Sequence, residues 1–117
     1  MALTRDFREI VMARVRRDPR FRESMLNEAV NACLEGELDA GKAMLRDLVN
    51  ATIGFEELAR RVNTPSKSLH RMLSARGNPG SEAFFGIIAE LARDAELRVK
   101  VETTRRPASS RRTRRTV

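Results

Sequence analysis

The sequence predicts an all-α fold of five to six helices, closed by a short C-terminal strand. Three observations predict it. Apolar residues recur at three- and four-residue spacing in successive blocks up to about residue 94. The blocks are separated by residues that suit helix ends, among them Asp18-Pro19, Gly36 and Gly54. Only residues 97–102 switch to a period of two.

The elements follow in order. Residues 4–17 carry a stripe of Leu3, Phe7, Ile10 and Val11, with Arg and Glu between. Asp18 then caps a second helix whose first residue is Pro19. Its stripe is Phe21, Met25, Leu26, Ala29, Val30, Cys33 and Leu34, and Gly36 ends it in the left-handed conformation. Asp39 is the cap expected for the third helix, which runs to about Thr52 with Met44, Leu45, Leu48 and Val49 inward. Gly54 closes it. Residues 55–76 hold the fourth and fifth helices, and "GNPG" at 77–80 is a loop. Ser81 is expected to cap a sixth helix with Phe84, Phe85, Ile87, Ile88 and Leu91 apolar.

The closing "LRVKVE" alternates Leu97, Val99 and Val101 against Arg98, Lys100 and Glu102. That is the pattern of a half-buried strand, and a lone strand leaves its ladder unpaired. The expectation is pairing with its copy in a second chain or with a partner's sheet edge. The alternative is an extended arm lying on the helices.

Composition bounds the function. The 117 residues suit one domain with an appendage, and 41% are apolar. The net charge is +7, which favours polyanions. Yet residues 1–102 hold 17 Lys and Arg against 16 Asp and Glu, while residues 103–117 hold six Arg and no acid. The basicity therefore belongs to the tail. The lone Cys33 excludes an intrachain disulfide and reads as a small buried hydrophobe. No leader and no apolar run of membrane-spanning length is evident, so the expected location is a reducing cytoplasm. Expected boundaries are an N-terminal helical region at 1–36, a DNA-binding region with the strand at 37–102, and a disordered basic tail at 103–117.

The stretch "FEELARRVNTPSKSLHRMLSAR" decides the functional reading. Two helices joined by so short a turn pack only with a small residue at their crossing, a left-handed turn residue and a buried anchor on the second helix. Ala59, Asn63 and Leu69 fill those places, and Leu58, Val62 and Met72 complete the apolar contacts. These spacings define a helix-turn-helix. Thr64 caps the second helix and Pro65 begins it. At 100° per residue from Leu69, Pro65 and Leu73 fall on the buried side. Lys67 and Arg71 fall on the far side with Ser74, while Ser68 and His70 flank them and Ser66 sits at the open end. All six offer donors to guanine and phosphate acceptors in a major groove. The competing reading is an ordinary solvated face with a surface histidine.

"FEELARRVNTPSKSLHRML", followed by "GNP", a helix and "LRVKVE", resembles the Cro/repressor-type helix-turn-helix antidotes of bacterial toxin–antitoxin modules. The resemblance covers about residues 40–102, leaves the basic tail outside, and implies a lambda-repressor-like core. It further implies an antitoxin that neutralises a RelE/ParE-type toxin and represses its own operon as a homodimer. Groove-reading residues carry over onto Ser66, Lys67, His70 and Arg71. The toxin would be held by the N-terminal helices, the strand or both. The alternatives are a stand-alone regulator without a toxin, and a module whose helix pair binds only protein.

No nucleophile, metal-ligand or phosphate-loop pattern stands out, so no enzyme activity, cofactor or metal is expected. With no Trp or Tyr, and with Phe84 and Phe85 assigned to the core, single-strand stacking is disfavoured. The Arg pairs of the tail read either as phosphate contacts on duplex DNA or as a solubilising end.

Overall fold

Asp18 starts its helix as its side chain dictates. A computed structural model of the chain describes residues 5–107. In it the Asp18 carboxylate accepts the N–H groups of Arg20 and Phe21 at 3.1 and 3.3 Å. The Phe21 bond is the main reason the carboxyl is held below its ordinary range. Six helices are present among the described residues: α1 Arg5–Arg17, α2 Pro19–Leu34, α3 Leu38–Ala51, α4 Phe55–Val62, α5 Ser66–Met72 and α6 Ser81–Asp94.

The tight link at Asp18 folds α2 back on the last turns of α1, so burial falls there, and of the expected stripe only Val11 shares in it among the described residues. Val15 is fully buried and Val11 and Met12 partly so, whereas Phe7 and Ile10 are exposed. Leu3 lies outside the described residues. Arg22 reaches back to the carbonyls of Val15 and Arg16 at 2.7 and 3.1 Å, closing the end of α1. On α2, Leu26 and Ala29 are buried, but Leu34, the last helical residue, is exposed at the turn.

Gly36 and Gly54 take φ of 93° and 85°, the left-handed turns their positions called for. The third helix starts two residues earlier than expected. Glu37 is the residue at its cap, and Asp39 sits in its first turn, where the helix dipole favours an acid. Gly41 sets the approach of α2 to α3: a Cβ there would lie 2.3 Å from Cys33 Sγ and 3.0 Å from the Ala29 carbonyl. Cys33 is half-buried in this contact, and burial pushes its thiol up from its ordinary value. One apolar cluster runs from Val15 of α1 through Leu45, Leu48 and Val49 of α3 to Ile87 and Leu91 of α6.

Three expectations about the C-terminal part are corrected. Gly80, not Ser81, stands at the cap of α6, and Ser81 is its first residue. Phe84 is half-buried and Phe85 is 60% exposed, because the inward face is already filled by Ile87, Ile88 and Leu91. Residues 97–102 form no strand among the described residues. Glu96 turns left-handed at φ 59° and the Leu97 N–H closes α6 on the Ala92 carbonyl at 2.8 Å. The segment beyond runs extended beside α2, flanking an open groove of ≈ 530 Å³ with Arg20, Ser24 and Val30. Its alternation records one packed residue, Leu97, while Val99 and Val101 are exposed. A period of two needs only an extended chain with one face touched, and a ladder needs a second edge.

Candidate nucleic-acid interface

The turn between α4 and α5 is built from local backbone preferences. Asn63 ends α4 at φ 52°, ψ 50°, a conformation that its short polar side chain tolerates. The Thr64 N–H then donates to the Ala59 carbonyl at 3.0 Å and the Asn63 N–H to Arg60 at 3.4 Å, satisfying the last carbonyls. Thr64 does not cap α5. Its hydroxyl donates back to the Val62 carbonyl at 3.2 Å, and Pro65 takes the cap position. Pro65 thus stands outside the helical rotation, which is why it is exposed and not on the buried side.

The back of α5 is anchored. Leu69 is 1% exposed and Leu73 fully buried, against Leu58 of α4, also fully buried. Ala59, Val62 and Met72 are half-buried around them. Lys67 and Arg71, four residues apart and therefore on one side of α5, are exposed. Among the described residues neither enters an ion pair, and neither does the exposed Arg76 just beyond α5. The basic residues of α4 behave differently. Arg60 pairs with Glu57; Arg61 meets Glu57 at 3.0 Å and Asp94 at 3.3 Å. Uncompensated positive charge therefore sits on α5 and its exit, not on α4.

The remaining expected contacts are less free. Ser66 and Ser68 are half-buried. His70 lies flat on Phe55, ring centroids 3.9 Å apart and planes at 24°, so one face of the imidazole is covered while the residue stays exposed overall. Ser74 donates its hydroxyl proton to the Arg71 carbonyl at 2.7 Å, leaving only lone pairs for another partner.

Sequence reasoning missed the residues that hold the far end of α5. Arg46 donates to the Leu73 carbonyl at 2.6 Å. Lys42, only 3% exposed, donates to the Gly77 carbonyl at 2.8 Å and to Ala75 at 3.4 Å. Two cations on successive turns of α3 thus hold the exit of α5: Arg46 takes the carbonyl of its cap residue Leu73, where the helix dipole is negative, and Lys42 takes carbonyls of the loop beyond. Lys42→Met keeps the buried stem and removes the donor, leaving those carbonyls short of a partner. It is expected to lower stability by about 1–3 kcal/mol in urea denaturation, with no change in helix content.

No family model, curated protein or solved structure matches the chain. No helix among the described residues is long and apolar enough to cross a membrane.

Proposed function

We propose that this chain is a sequence-specific DNA-binding repressor with a helix-turn-helix formed by α4 and α5, acting as a homodimer. We further propose that it is the antidote of a toxin–antitoxin module and represses its own operon. One observation carries the DNA reading. Lys67 and Arg71 project, exposed and without an ion-pair partner among the described residues, from a short helix whose opposite side is locked into the core by Leu69 and Leu73. A surface of that kind presents donors from an anchored helix to guanine and phosphate acceptors without loss of fold stability. A dimer would offer two such helices about 34 Å apart to successive major grooves. The toxin part of the proposal rests on the resemblance in residues 40–102.

The test is selection of a duplex from a random pool, followed by titration of the Lys67→Ala, Arg71→Ala double variant. Specific affinity is expected to fall about 100-fold or more. The thermal midpoint is expected to stay at the parent value, since both side chains are exposed. Undiminished binding by the double variant would remove α5 as the reading element. For the toxin part, co-expression with a neighbouring small basic toxin-like reading frame should relieve growth arrest. Failure there, with operator binding intact, would leave a stand-alone regulator.

A further inference from the structure

Among the described residues, none packs over the outer face of α6. Glu82, Phe85, Gly86, Ala89 and Arg93 recur at three- and four-residue spacing and form one stripe. Within it Phe85 is 60% exposed and touches Phe84 edge-on at 6.1 Å between centroids. Alongside lies a groove of ≈ 570 Å³ lined by Val62, Thr64, Leu69, Ala83, Gly86 and Ala89. Gly86 is a costly residue inside a helix, and nothing among the described residues requires it: a Cβ there would meet none of their atoms within 4 Å. The hollow it leaves opens outward, next to the exposed ring.

We propose that this face packs against the same face of a second copy, α6 antiparallel to α6. The charges select that occupant. A two-fold axis passing between Ile87 and Ile88 sets Gly86 opposite Ala89 of the second copy. The same register sets Glu82 opposite Arg93 of the second copy, twice by symmetry. Among the described residues Glu82 has no ion-pair partner in its own chain. Arg93 is 69% exposed and holds only Glu90 of its own helix. Small residues thus meet at the crossing, opposite charges meet at both ends, and the exposed edges that carry Phe85 in the two copies lie on the same side and cover each other. The contact supplies the dimer that the DNA-binding reading calls for, and rests on that reading for its role on DNA.

Sedimentation equilibrium of the full chain, without DNA, tests it. The parent is expected to dimerise. Glu82→Arg and Arg93→Glu alone should each weaken dimerisation about tenfold, because each puts like charges together at two places. The two changes combined should restore it to within about threefold of the parent. Phe85→Ser should weaken it about 100-fold. All three positions of change are on the surface, so the circular dichroism spectrum and thermal midpoint report whether folding is intact. A monomeric parent at about 100 μM would overturn the proposal. So would a dimer indifferent to all these variants, or one lost instead on changing Val99 and Val101 to Lys, which would move the contact to the extended segment. Rescue by the charge swap supports the α6 contact even where the chain binds no duplex; that result would count against the DNA reading alone.

Discussion

Phe55→Ala is expected to lower the stability of the chain by about 3–5 kcal/mol, measured by urea denaturation. Phe55 is the first residue of α4 and is 5% exposed, within the cluster that also holds Leu58 and Leu69. Removing its ring leaves a cavity that the two short helices cannot close, because α4 is pinned at one end by Gly54 and at the other by Asn63. It also removes the surface on which His70 lies. Phe55→Leu separates the two effects. It refills most of the volume, so its stability cost should stay below about 1.5 kcal/mol. It cannot stack, so His70 should gain mobility, seen as broader rotamer sampling in its NMR side-chain couplings. A loss of under 1 kcal/mol in the alanine variant would show that the ring is not what joins α4 to α5.

Gly77→Ala should cost about 3 kcal/mol or more, and it should weaken duplex binding as well. A Cβ at this position would stand 2.0 Å from the Arg71 carbonyl oxygen and 2.5 Å from that of Met72. Both are backbone atoms at the end of α5, so no side chain can move aside. Either the loop shifts away and the Lys42 bond to the Gly77 carbonyl is lost, or the last turn of α5 unwinds. Gly80→Ala is the control three residues on. Nothing lies within 4 Å of its added methyl and its φ is −68°, so only the preference for Gly over Ala at a helix cap is lost, and the cost should stay below about 1 kcal/mol. Equal effects at the two glycines would mean that the close approach at Gly77 is absent in solution.

These two glycines show where reading from sequence stops. "GNPG" marks a loop by composition, and both residues look alike there. Only the packing of that loop against the carbonyl end of α5 makes one indispensable and the other free. His70 is similar. Its register placed it at the flank of the reading surface, but its stack on Phe55 joins residues 15 apart and leaves no local trace.

By itself the sequence determined the features whose causes lie within a few residues. Asp18 before Pro19 had to start a helix, because a carboxylate there reaches two orphan N–H groups. Gly36, Gly54 and Asn63 had to turn left-handed where the apolar spacing ran out, and Leu58 and Leu69 had to face inward on their helical wheels. Tertiary structure alone decided the rest: that Lys42 and Arg46 would reach carbonyls 27 to 35 residues away, and that Gly41 would admit Cys33. It also turned Phe85 outward and left residues 97–102 without a ladder. The physical reason is one of range. Capping and periodicity act over one or two turns of backbone, whereas the partner of a buried cation or an exposed ring is set by which helices come to lie side by side.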